Sequence, residues 1–87
     1  MHFTVKEFRE FLNNLPENIQ ECARKNFDLL KENPSHPSLH FKKVGGCWSV
    51  RVGEKYRAIA IKTGDDFRWV WIGKHEEYER IIKSLPE

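Results

Sequence analysis

The spacing of apolar residues changes period once along the chain, near residue 38. Before it, Phe8, Phe11, Leu12 and Leu15 recur at helical intervals. Ile19, Ala23, Phe27 and Leu30 then line one face of a second helix, with Cys22 and Leu29 beside them. Thr4-x-x-Glu7 has the form of a capping box, and Phe3 and Phe8 occupy the positions of a hydrophobic staple. A helix is therefore expected to begin just after Thr4. Pro16 interrupts the pattern and fits the first turn of the next helix. Asn33-Pro34 ends that helix, because the residue before a proline is pushed out of the helical region. The short link between the two predicts a helical hairpin.

From Leu39 onward the period is two. Four strands are expected, over residues 39–44, 47–52, 56–62 and 67–73. They are separated by Gly45-Gly46, by Gly53-Glu54-Lys55 and by the turn residues from Thr63 to Asp66. A last amphipathic stretch, with Tyr78, Ile81 or Ile82, and Leu85 on one face, reads as a short C-terminal helix. The expected fold is α+β: one domain over residues 1–87, with an N-terminal helical hairpin packed on a four-stranded antiparallel meander and a short C-terminal helix. Across the Gly53 turn, Val52 should lie opposite Tyr56. Trp48, Val50, Val52, Tyr56, Ala58 and Ala60 then face the helices. Ser49, Arg51, Arg57, Ile59 and Ile61 take the other, open side. Trp69 and Trp71, two residues apart, are expected on one face, as core or as a partner-binding patch.

Composition narrows the class. Hydrophobic residues at 39% and charged residues at 32% fit a globular domain rather than a disordered chain. The longest unbroken apolar runs are four residues, Ala58–Ile61 and Trp69–Ile72, whereas a membrane span needs about 20. No membrane association is expected. The N-terminal residues lack the apolar stretch of a secretory signal, so the expected location is the cytoplasm. Two cysteines, Cys22 and Cys47, are too few for a disulfide framework. Charge is modest in total and uneven in place. The net is +2, but residues 36–62 hold Lys42, Lys43, Arg51, Lys55, Arg57 and Lys62 against Glu54 alone. Such a stretch suits an anionic partner. A solvated sheet face with scattered lysines is the plainer alternative.

The shared face of Arg51 and Arg57 is the first candidate site, since guanidinium is permanently charged and forks onto phosphate oxygens. Lys42 and Lys43 alternate faces, so one of them can join the pair. His75 follows the fourth strand directly, in Gly73-Lys74-His75-Glu76-Glu77-Tyr78. Histidine is the side chain that titrates near neutral pH and serves in proton transfer. Tyr78 lies one helical turn onward, suited to hydrogen-bond a phosphate or stack on a base. A helix-capping histidine and a core tyrosine are the alternatives. His36-x-x-x-His40 has a ligand-like separation, but Pro37 forbids the helix that would align the pair. No metal site and no cofactor are expected.

With these residues in place, the chain resembles the RelE/ParE toxins of type II toxin–antitoxin pairs. The resemblance rests on Leu39-His40-Phe41-Lys42-Lys43-Val44, on Trp48-Ser49-Val50-Arg51-Val52-Gly53, on Tyr56-Arg57-Ala58, and on Trp71-Ile72-Gly73-Lys74-His75 with Tyr78. It implies a small toxin neutralised by a cognate antitoxin protein. RelE-like members cut mRNA in the ribosome without metal, using the RNA 2′-hydroxyl as nucleophile, while ParE-like members poison DNA gyrase. By position, the resemblance makes Arg51, Arg57, His75 and Tyr78 catalytic. It also makes Lys42 or Lys43, with the two arginines, phosphate-binding. Ser49 departs from the basic residue such toxins often carry on that strand. The net charge is also lower than that of the ribosome-acting members. A gyrase poison, or a member that only binds protein, is the second reading. The capping box at Thr4 leaves little room for the family's first strand, so the sheet is expected to lack that edge.

Overall fold

The computed structural model describes residues 1–84. Leu85, assigned above to the last helix face, lies outside the described residues. The elements run β1 (His2–Thr4), α1 (Lys6–Asn13), α2 (Glu17–Glu32), a 3-10 turn (Pro37–Leu39), β2 (Lys42–Val44), β3 (Cys47–Val52), β4 (Tyr56–Thr63), β5 (Asp66–Lys74) and α3 (His75–Ser84). The sheet order is β1-β5-β4-β3-β2. Strands β2 to β5 form the expected meander, and Val52 pairs with Tyr56. Gly45 and Gly53 adopt positive φ at the first two turns, where a side chain would be strained.

One strand was not expected. β1 adds to the outer edge of β5 in parallel, with Thr4 opposite Trp69. The Thr4 backbone is thereby committed to a strand and cannot cap a helix. Val5 is the N-cap of α1, with no side-chain capping bond. The Thr4 hydroxyl instead accepts from the Arg9 guanidinium at 3.1 Å. The staple fails for the same reason: Phe3 pairs with Arg68 and stays 48% exposed, while Phe8 is buried.

The core sits between the two N-terminal helices and one face of the sheet. Phe8, Ala23 and Leu30 meet Val50, Val52, Ala58, Ala60, Trp69 and Ile72 there. Ala58 and Ala60 are fully buried, as short side chains must be where a helix approaches closely. Phe27 stands edge-on to Trp69, with centroids 5.1 Å apart.

A β-bulge between β4 and β5 changes which residues share a face. Trp69 pairs with Ala60 but Trp71 pairs with Ile59. Neighbours on one strand point to opposite sides, so the bulge puts the two tryptophans on opposite faces rather than together. Trp69 is wholly buried in the core. Trp71 lies on the second face, its indole over Gly73, where a Cβ would fall 2.5 Å from Cζ2. Among the described residues no helix is long and apolar enough to cross a membrane.

Candidate active site

The second face of the sheet is not fully open. α3 turns back across it, so Ser49 and Ile59 are buried although both belong to that side. Tyr78 is the anchor: it is 4% exposed, and its hydroxyl donates to Ser49 Oγ at 3.1 Å. The helix starts where β5 ends, and His75 N–H donates to the Lys55 carbonyl at 2.8 Å. That bond ties the helix start to the β3–β4 turn. The junction that carries His75 is therefore fixed at both ends.

Arg51 and Arg57 are direct cross-strand partners on this face. Neither guanidinium is paired with a carboxylate among the described residues. Each is held by a neutral carbonyl instead: Arg51 Nε donates to Gly53 O at 3.0 Å and Arg57 Nη1 to Tyr56 O at 2.8 Å. Burial, with the adjacent Arg51 charge, pulls the Arg57 guanidinium below the ordinary arginine range, and Tyr78 and Glu79 act against that fall. Like charges set directly opposite one another destabilise a sheet. The pair thus carries an uncompensated electrostatic cost that a bound anion would relieve.

The two side chains do not enter the same cavity. Arg57 and His75 line a cleft of about 150 Å³ together with His40, Lys42, Ser49, Tyr78 and Glu79. Arg51 borders a separate groove with Cys22, Asn26 and Gly53. Of the two candidate lysines, Lys42 pairs with Ser49 and so shares the Arg57 face, whereas Lys43 pairs with Trp48 on the other. Lys42 is the one that reaches the cleft.

His75 Nε2 lies 3.0 Å from Glu79 Oε1, one helical turn away. A carboxylate at that distance orients the ring and selects its tautomer. A neutral ring bonded there carries its proton on Nε2 and its lone pair on Nδ1. Sequence reasoning missed Glu79, although its i,i+4 spacing from His75 is the signal that would have found it. It also missed His40 as a cleft residue. His40 follows the 3-10 turn with a left-handed φ of 46°, which is uncommon for a residue with a side chain. His36 turns away from any such role, its Nδ1 accepting from Ser38 N at 3.2 Å to cap that turn. Among the described residues no group of three or more His, Cys, Asp or Glu side chains is placed to hold a metal ion. The cleft can therefore do three things with its own side chains: bind an anion through Arg57 and Lys42, move a proton through His75, and hold that histidine through Glu79.

The same fold is found in known toxins. The chain is similar to a chain of the RelB–RelE antitoxin–toxin complex from Methanococcus jannaschii, with a TM-score of 0.70 and 18% identity over 91% of this chain and 96% of that one. It is similar to YafQ from Escherichia coli strain BL21(DE3), with a TM-score of 0.71 and 13% identity over 90% and 96%. It is similar to the isolated E. coli RelE toxin, with a TM-score of 0.62 and 15% identity over 95% of each chain. At these identities the likeness is one of fold. No curated protein matches the chain. Residues 17–80 match the model of the ParE-like toxin domain. That match takes in both arginines, His75, Tyr78 and Glu79, and the chain belongs to the ParE-like toxin domain family, among the RelE/ParE toxins.

Proposed function

We propose that this chain is the toxin of a toxin–antitoxin pair and that it cuts mRNA on the ribosome through the RNA 2′-hydroxyl. One observation carries the reading: Arg57 and His75 line one cleft, with the uncompensated charge of Arg51 next to Arg57. A phosphate-directed site needs cations and a proton carrier within reach of each other, and a surface that only bound protein would not.

The chemistry follows from the residues. The 2′-oxygen attacks the adjacent phosphorus, forming the 2′-O–P bond and breaking the bond to the 5′-oxygen. The products are a 2′,3′-cyclic phosphate and a 5′-hydroxyl. His75 takes the 2′-hydroxyl proton on Nδ1 while Glu79 holds Nε2–H. The resulting imidazolium then supplies a proton to the departing 5′-oxygen. Arg57 stabilises the charge that grows on the phosphoryl oxygens. Lys42 and Arg51 hold the phosphates on either side. Tyr78 fixes α3, and hence His75, against the sheet. Arginine's proton is held too tightly for it to be the base, which leaves that role to His75.

The partner is a cognate antitoxin, by analogy with the RelB–RelE complexes among its structural relatives. Expression of the chain alone should arrest growth, and co-expression of the antitoxin should relieve it. Messenger RNA from arrested cells should carry breaks at ribosomal positions. Arg57→Ala and His75→Ala should each abolish both arrest and breaks. Full toxicity of both variants would overturn this site. Intact mRNA with trapped, cleaved DNA would indicate a gyrase poison.

A further inference from the structure

Arg57 and His75 border more than the small cleft. On their other side lies a larger polar cavity of about 430 Å³, which Glu54, Lys55, Lys74 and Glu76 complete. The two residues therefore form a ridge between two concavities. We infer that the larger cavity is a nucleotide subsite, which receives the unit of a single RNA strand adjoining the cleaved phosphate. The inference rests on the proposed function, because it takes the Arg57–His75 ridge as the point of cleavage.

Three features favour a nucleotide over a plain polyanion. The volume lies in the range of small-molecule sites, roughly 300–1,000 Å³. The lining carries both signs: Lys55 and Lys74 suit a phosphate, while Glu54 and Glu76 accept hydrogen bonds from base amino and imino groups. The walls are also fixed relative to the ridge. Lys74 pairs with Tyr56 across the sheet, and the Lys55 carbonyl accepts the His75 N–H. A strand lying over the ridge thus has a cationic wall on each side, Lys42 in the small cleft and Lys55 with Lys74 in the large one.

The test uses the full chain and a 2′-O-methyl RNA trinucleotide, which binds without being cut. Amide shifts in NMR spectra should move at Lys55, Lys74 and Glu76 as well as around His40 and Lys42. Lys55→Ala/Lys74→Ala should weaken binding and lower the steepness of its salt dependence by about 1.4, at about 0.7 per lost phosphate contact on a single strand. With cleavable RNA the same variant should raise KM and leave kcat within about threefold. Shifts confined to the small cleft, or an unchanged salt slope, would overturn the subsite even if the chain cuts RNA. Shifts on both sides of the ridge in a chain that never cuts RNA would uphold the subsite and sink the nuclease. No shifts anywhere would overturn it.

Discussion

The hydroxyl of Tyr78 offers the sharpest separation of structure from chemistry. It donates to Ser49 Oγ at 3.1 Å, and Tyr78 and Ser49 are 4% and 3% exposed. Tyr78→Phe keeps the ring and deletes the hydroxyl, stranding Ser49 Oγ in a dry site. Leaving one buried polar partner unpaired costs about 1–3 kcal/mol, a substantial part of the roughly 5–15 kcal/mol that holds a domain folded. Ser49→Ala strands the tyrosine hydroxyl and should cost a similar amount. Ser49→Ala/Tyr78→Phe removes both groups, so most of the loss should be recovered. Urea unfolding of the four proteins, at constant m, reads the cycle. Cleavage should follow the same order, because α3 carries His75 and the His75 and Tyr78 rings lie 6.0 Å apart. A neutral Tyr78→Phe, within about 0.5 kcal/mol, would refute the claim that this bond pins α3 to the sheet. A double variant that regains stability but not cleavage would mean the hydroxyl takes part in the reaction.

Other predictions follow from the same coordinates. Gly73→Ala would set a Cβ 2.5 Å from Trp71 Cζ2. It should cost about 1–3 kcal/mol by overpacking, and Trp71→Ala in the same chain should recover most of that. Lys42→Ala should raise the KM for RNA several-fold, while Lys43→Ala, on the opposite face, should change it less than about twofold. His2 accepts from Trp69 Nε1 at 3.0 Å, and burial first, then the N-terminal charge and Lys31, lower its pKa from 6.5. The unfolded chain then binds the proton more readily than the folded one. Stability should be full above about pH 6.5, fall as pH drops toward the lowered folded value, and level off below it. His2→Gln should flatten that part of a urea-midpoint profile against pH.

Legibility in the sequence tracked how local each feature is. The meander was readable because alternation and glycine turns are written in adjacent residues: Val52 opposite Tyr56 follows from the turn alone. β1 was not. It has three residues, and its pairing with β5 spans more than sixty positions of chain, so the Thr4–Glu7 pattern suggested a cap instead. The Trp69–Trp71 pairing failed because a bulge leaves no mark in the alternation of residue types around it. Arg51 and Arg57 were placed on one face correctly, but their division between two cavities depends on side-chain direction beyond Cβ. The open face was overestimated because amphipathicity shows that α3 docks, not where. Its contact with Ser49 also gives a reason for a small hydroxyl residue where a basic one was anticipated.

The end chemistry of the cut RNA tests the central claim most directly. A translating extract given this chain should yield mRNA fragments that end in a 2′,3′-cyclic phosphate or the 3′-phosphate it opens to, with 5′-hydroxyl partners. Loss of the Arg57 cation should slow their appearance by about 10²- to 10³-fold, and His75→Ala should slow it as severely. Fragments with 5′-phosphate ends, or undiminished cutting by both variants, would contradict the account.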